Sequence, residues 1–332
     1  MNSLFVFLSA AALAAMLQPP ASRATKPAAP KQPPASPATS SAAVASTDAD
    51  APATAAAVLL AADRAYAAAG RARSMRESLE AMFTAGVMMP GPRGQVLTGK
   101  SAVLDALGST GDSTARATWT PIRVGLSADG LHGFTVGFMM TARADGSRGQ
   151  YKYLAYWVRD SAESSTPWRV AAWRRRPVDS TATIDSTMLS PLLPARLQLP
   201  RRDAATLGSL RKGLIDAESG FSDEAQRVGV GAAFAALGTE ESLNVGPITE
   251  GRFTRGAGAI ARVVAAGQPL DAPSTIVWGA DTALVASSGD LGITFGVIRP
   301  KSASAGQPVP GTSFFTIWRR ATPTSPWRYV AE

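Results

Sequence analysis

The sequence predicts an α+β chain in which one unit is used twice, each unit a group of helices followed by a curved antiparallel sheet. Three observations carry this. The stretch from Tyr151 to Trp173, with Trp157-Val-Arg and Pro167-Trp168-Arg-Val-Ala, recurs from Gly311 to Glu332 with Trp318-Arg-Arg and Pro326-Trp327-Arg-Tyr-Val. Upstream, Gly133-Phe-Thr-Val-Gly137 answers Gly292-Ile-Thr-Phe-Gly296, and a tryptophan (Trp119, Trp278) stands fourteen residues before the first glycine of each pair. In both copies, apolar residues at helical spacing come first and aromatic, β-branched runs follow. Helices segregated from an antiparallel sheet define the α+β class.

The chain begins with an apolar run, Leu4 to Leu17, followed by Ser22-Arg-Ala24, a small-x-small cleavage pattern. Residues 1–24 therefore read as a secretory signal, which implies a periplasmic or secreted protein. The apolar run is shorter than the ~20 residues a bilayer span needs, so no stable membrane insertion is expected once the signal is cleaved; whether it is cleaved or kept as an anchor stays open. Residues 25–54, rich in Ala, Pro, Ser and Thr, are expected to be a disordered linker, having too few large apolar groups to fold.

The first unit spans 55–178. Leu59, Ala62, Tyr66 and Ala69 recur at helical spacing, and Ser74-Met-Arg-Glu77 fits a capping box ahead of Met75, Leu79, Met82 and Phe83. A loop with Pro90-Gly-Pro92 leads past Gly99 into a short helix. Strands are expected over 119–127, 131–142, 149–160 and 167–177. Residues 179–203, with Pro191, Pro194 and Pro200, form a connector. The second unit, 204–332, repeats the order: Leu207, Leu210, Leu214, Ala217 and Phe221 line one helix face, Val230, Phe234 and Leu237 the next, and strands begin near Ile276.

Composition excludes several classes of chemistry. The 332 residues contain no cysteine, which removes disulfides, iron–sulfur clusters and thiolate zinc sites. The one histidine, His132, stands at a strand mouth where the second copy has Leu291, so it reads as an ordinary strand-end residue, and no metal or cofactor is expected. Of the net charge of +8, the first unit carries +7, with 16 Lys and Arg against 9 Asp and Glu; the second has 11 of each. The arginines are dispersed and no nucleic-acid-binding motif accompanies them, so no nucleic-acid partner is expected.

Two glycine patterns imitate nucleotide sites. Gly94 to Ser101 has phosphate-loop spacing, with Lys100 and Ser101 where such loops hold phosphate and magnesium. No apolar strand precedes it, and the copy at Gly251 to Gly258 lacks the lysine. Gly256-Ala-Gly-Ala-Ile resembles a dinucleotide fingerprint without a surrounding βαβ unit. Both read as loops entering short helices.

On these landmarks, and on Gly231-Ala-Ala-Phe-Ala-Ala-Leu with Ser287-Ser-Gly-Asp-Leu-Gly, each unit resembles the SnoaL-like, ketosteroid-isomerase-like branch of the nuclear transport factor 2 superfamily. The resemblance covers about 240 residues in two blocks. It implies two tandem cone-shaped α+β barrels, each with N-terminal helices on a curved antiparallel sheet and an open end that admits a small apolar ligand. It also implies association through the sheets, as a homodimer or as an internal pseudo-dimer of the two units. The acidic–aromatic pattern of the family's first helix falls on Asp63 and Tyr66, and on Glu218 and Phe221. An acidic residue five after the last-strand tryptophan falls on Glu332 in the second copy but on Trp173 in the first.

The expected ligand-binding residues are Tyr66, Met82, Met88, Tyr153, Trp157, Glu218, Phe221 and Trp318, with the methionine-rich first unit as the chief pocket. Asp63 and Tyr66, three apart on a helix, are candidates for a desolvated base and a hydrogen-bond donor. Against this, Asp63 could be a structural carboxylate satisfied by Arg64, Arg76 or a loop N–H, with Tyr66 in the core. Three functions stay open: a binder of a small apolar or amphipathic molecule, an isomerase, cyclase or dehydratase using Asp63 and Tyr66, and a structural module with filled cones.

Overall fold

The computed structural model describes residues 51–109, 114–163, 165–201, 203–301 and 311–332. The expected signal and most of the expected linker lie outside the described residues. Thr47–Glu332 is one compact unit. Its first half runs α1 (Ala51–Gly70), α2 (Met75–Met82), β1 (Phe83–Pro90), β2 (Val96–Thr98), α3 (Lys100–Leu107), β3 (Arg116–Leu126), β4 (His132–Ala142), β5 (Arg148–Val158) and β6 (Arg169–Val178). The second half runs α4 (Ala204–Val228), α5 (Val230–Leu237), β7 (Leu243–Asn244), β8 (Thr254–Arg255), α6 (Ala257–Ala265), β9 (Ile276–Val285), β10 (Leu291–Pro300), β11 (Thr312–Arg319) and β12 (Arg328–Ala331).

Two six-stranded sheets result, ordered β2-β1-β6-β5-β4-β3 and β8-β7-β12-β11-β10-β9, the same topology twice. The long strands pair antiparallel, as expected. The exceptions are β1 on β6 and β7 on β12, which are parallel. Sequence reading placed every helix before the sheet and gave Phe83 to a helix, whereas β1 and β2 intervene and Phe83 opens β1. Met82 to Met89 is nearly continuous in its apolar character, so no change of period marks where helix yields to strand. The first helix also starts at Ala51, inside the span assigned to the linker, and buries Pro52.

The repeated glycines allow close packing. A Cβ on Gly133 would lie 2.4 Å from a Leu59 methyl, and one on Gly292 would lie 2.5 Å from the equivalent methyl of Leu214. The first helix of each half thus presses directly on the second long strand.

Alternation along each strand separates two faces. In β5, Tyr151, Tyr153, Ala155 and Trp157 face the helices, whereas Leu154, Tyr156 and Val158 face away. The outward faces of both sheets meet in one apolar cluster, with Phe134, Val136, Leu154 and Tyr156 from the first and Ile293, Phe295, Phe315 and Ile317 from the second. Polar contacts frame it. Buried Arg123 pairs with Glu241 at 2.6 Å, and Lys152 donates to the Val245 carbonyl at 2.6 Å. The β3–β4 and β9–β10 turns exchange carboxylates: Asp129 accepts from the Ser287 hydroxyl and Ser288 N–H, and Asp290 accepts from the Ala128 N–H. The connector lies along β3, with Leu189 and Leu192 N–H donating to the Ile122 and Val124 carbonyls, so it covers a strand edge that would otherwise be open.

Candidate functional site: two cones, one hollow

Each cone is built around a buried carboxyl on its first helix. Asp63 accepts from Trp119 Nε1 at 2.7 Å and from the Tyr153 hydroxyl at 2.9 Å. Glu218 accepts from Trp278 Nε1 at 2.8 Å, Trp318 Nε1 at 3.0 Å and the Thr294 hydroxyl at 2.5 Å. The companion bond also repeats, since Trp157 Nε1 donates to Thr135 Oγ1 and Trp318 Nε1 to Thr294 Oγ1, both at 2.9 Å. Where the first copy has Tyr153 the second has Phe314, which cannot donate, and the longer Glu218 reaches Thr294 instead. Burial raises both carboxyls above their usual range, and the surrounding donors oppose that rise.

The buried stripe of α1 is Pro52, Ala56, Leu59, Asp63, Ala67 and Gly70. It is rotated from the expected one, so that Asp63 points inward while Ala69 is exposed. In an alanine-rich helix, apolar identity does not mark the buried face, because the outward residues are alanines too.

The cones differ in what fills them. In the first, Asp63, Met82, Trp119, Met139, Tyr153, Ala155, Trp157 and Trp173 close on one another and leave no room for a water molecule. The deep end of the first cone is therefore closed, with the Trp173 indole in the hollow, so the expected pocket among Met82, Tyr153 and Trp157 is filled; nearer the mouth a more open cleft of about 400 Å³ remains between Met89, Leu97, Leu107 and Tyr151. In the second, Glu332 stands where Trp173 does, and a cavity of about 250 Å³ opens. Its walls are Phe221, Phe234, Trp278, Phe314 and Phe315 with Val230, Val264, Ile276 and Ile298. Its polar groups are Glu218, Glu332, Asn244, Thr312, Ser313, Thr316 and, from β6 of the first half, Arg174 and Arg176.

Glu332 is held on one side only. Its Oε1 accepts from Asn244 Nδ2 at 2.6 Å, and Asn244 is itself fixed by the Gly246 N–H donating to its Oδ1 at 2.6 Å. Among the described residues no group bonds the other carboxylate oxygen. Burial, with help from Glu218, pushes this carboxyl up to about 7, against the opposing pull of Asn244 and Arg174. Burial and then the neighbouring Arg176 bring Arg174 down to about 10, with Glu332 opposing.

The expected site residues are thus divided. Glu218 and Phe221 line the cavity, and Trp318 holds Glu218 from behind. Tyr66 does not reach a pocket, because its hydroxyl donates to the Trp168 carbonyl at 3.1 Å and its ring stacks on Trp157. Met82, Tyr153 and Trp157 belong to the filled core, and Met88 faces the other way, against the cluster between the sheets. Asp63 and Tyr66 therefore do not form an acid–donor pair facing a substrate. His132 bonds the Tyr156 hydroxyl at 3.0 Å, and burial lowers its pKa, in keeping with a packed strand-end residue. Lys100 caps the Glu80 carbonyl at 3.0 Å rather than heading a phosphate loop. Sequence reasoning marked Glu332 through the family pattern but left it, with Asn244, Arg174 and Arg176, out of the expected site. The signal for the first was the Glu332/Trp173 mismatch. That for the arginines was their alternation along β6, which aims both at the second half. Among the described residues no cluster of His, Cys, Asp and Glu could hold a metal, and no helix is long and apolar enough to cross a membrane.

No protein-family model matches the chain, and no curated protein matches it. Solved structures similar to it include a ketosteroid isomerase-like protein from Erwinia carotovora atroseptica, at 20% identity over 37% of this chain and 96% of that one, with a TM-score of 0.30. A Mycobacterium tuberculosis protein in complex with estradiol-17beta-hemisuccinate is 17% identical over 36% of this chain and 92% of that one, TM-score 0.27. SalBIII, an epoxide hydrolase/cyclase-like enzyme of pyran ring formation in salinomycin, is 15% identical over 38% and 92%, TM-score 0.27. At such identities and TM-scores they say nothing of ligand or reaction.

Proposed function

We propose that this is an exported protein that binds a small amphipathic molecule in the second cone, while the first cone serves as a filled structural partner. The observation that carries the reading is the contrast at one equivalent position: Trp173 plugs the deep end of one cone, and Glu332 leaves that of the other hollow with a carboxylate oxygen to spare. A cavity of about 250 Å³ lies between the ~150 Å³ that accepts benzene and the ~300 Å³ at which drug-sized pockets begin. One ring, or two small fused rings, matches that volume. Export rests on the apolar leader alone, and N-terminal sequencing of the protein recovered from its native compartment tests it.

The indole N–H groups report separately on the two cones. Titration with benzyl alcohol should shift the Trp278 and Trp318 indole resonances and leave those of Trp119 and Trp157 in place. Ile298→Trp, which fills the second cavity, should abolish the shift. Shifts confined to Trp119 and Trp157, or binding unaffected by Ile298→Trp, would sink the reading.

Glu332 alone favours a second reading, acid–base catalysis. A general base works best with a pKa near the working pH, and this carboxyl is oriented by Asn244 with one oxygen free. Under that reading Glu332→Gln abolishes turnover and leaves benzyl alcohol binding nearly unchanged.

A further inference from the structure

The cavity of the second cone is completed by residues of the first half. In β6, Arg174 and Arg176 lie on the face turned toward the second half, paired in register with Leu154 and Lys152. Both line the cavity. Arg174 is half-buried, and among the described residues its guanidinium makes no hydrogen bond. Its donors are therefore left to whatever enters the cavity, and a planar guanidinium presents paired donors suited to an oxyanion.

The other charges around the cavity do not supply that oxyanion. Glu218 already accepts from Trp278, Trp318 and Thr294, and those bonds keep its oxygens turned to its own helix and sheet. One oxygen of Glu332 is taken by Asn244, and burial holds this carboxyl's pKa well above the usual range, which weakens it as a partner for Arg174. Two guanidinium groups thus face the cavity, and neither carboxyl in the lining turns a free oxygen to Arg174 at hydrogen-bond distance. A cationic ligand would approach two arginines to reach the Glu332 carboxyl.

Resting on the proposed function above, we infer that the ligand is a compact aromatic or alicyclic monoanion, a carboxylate or its equivalent, with its ring among Phe221, Phe234, Trp278 and Phe314 and its anionic group against Arg174. Neither half alone can make this site. The second half provides the hollow and the first provides the charge.

Three probes of one size and different charge separate this inference from the cavity reading beneath it. Calorimetric titration of the full chain with benzoate, benzamide and benzylamine should rank them in that order, with benzoate about tenfold or more tighter than benzamide, the scale of one charge-assisted hydrogen bond. Arg174→Gln should bring benzoate to the level of benzamide while leaving benzamide unchanged, and Ile298→Trp should remove both. The probe ranking is read on the unsubstituted protein, so it stands even if Arg174→Gln fails to fold. If benzamide or benzylamine equals benzoate, and Ile298→Trp still removes it, the anion inference is wrong and the cavity reading survives. If none of the three binds, or benzoate binding survives Ile298→Trp, both are overturned.

Discussion

Asp63 and Glu218 are surrounded by donors, which makes each carboxyl a hub for the core around it. Removing the hub strands indole and hydroxyl hydrogens in an apolar interior, where an unmet polar group costs about 1–3 kcal/mol. Asp63→Ala strands the Trp119 N–H and the Tyr153 hydroxyl, and Glu218→Ala strands the Trp278 indole and the Thr294 hydroxyl hydrogen, while Trp318 keeps its bond to Thr294. Both variants should lose about 2–4 kcal/mol in urea denaturation, counting the lost packing as well. Trp173 makes the opposite point. Trp173→Ala should cost about 3–5 kcal/mol and, where the variant still folds, add a second benzyl alcohol site whose occupancy shifts the Trp119 and Trp157 indole signals. At this scale the sequence was only partly legible. The tandem tryptophans and threonines stood out, and Asp63 and Glu218 were flagged by the family pattern. Which cone was hollow depended on the volume of one side chain, and the methionines of the first unit pointed the wrong way.

Strand β12 carries Tyr329, Val330 and Ala331 into the core and is followed by Glu332, whose N–H and carbonyl are engaged by Leu243 and Val245 beside it. This short parallel pairing is what holds Glu332 at the cavity wall. A carboxyl at about 7 in the folded chain, against 4.5 when free, keeps its proton longer folded than unfolded. Stability should therefore fall as pH rises from 4.5 to about 7 and level off above, with the penalty absent below 4.5. Its size is on the order of 1–3 kcal/mol. Glu332→Gln should show less of this decline, so the stability difference between the two proteins should change by that amount between the ends of the window; equal pH profiles would contradict the assignment. The long strands were legible because alternation and Trp–Gly spacing survive in both copies. The β1/β2 and β7/β8 pairs were not: β1 runs on from an apolar helix, and β7 and β8 have two residues each, too few for any period to show.

The two halves share one apolar seam, with reciprocal carboxylates at one end and the Arg123–Glu241 pair within it. Neither sheet could stand alone without wetting its outer face, so the halves should melt as one. Scanning calorimetry should show a single transition, and Phe295→Asp, a charge set against Phe315 in the middle of the seam, should lower the stability of both halves together, as read from first-cone and second-cone indole signals. Two separated transitions would contradict this. Duplication itself was the most legible feature of the chain, and it is at this scale that it matters most. A lone cup must be both vessel and foundation, and every void it keeps for a guest weakens the wall around it. Under the binding proposed above, the indole at position 173 shores up one cup, so that its twin can keep a void for a guest without having to bear the load alone.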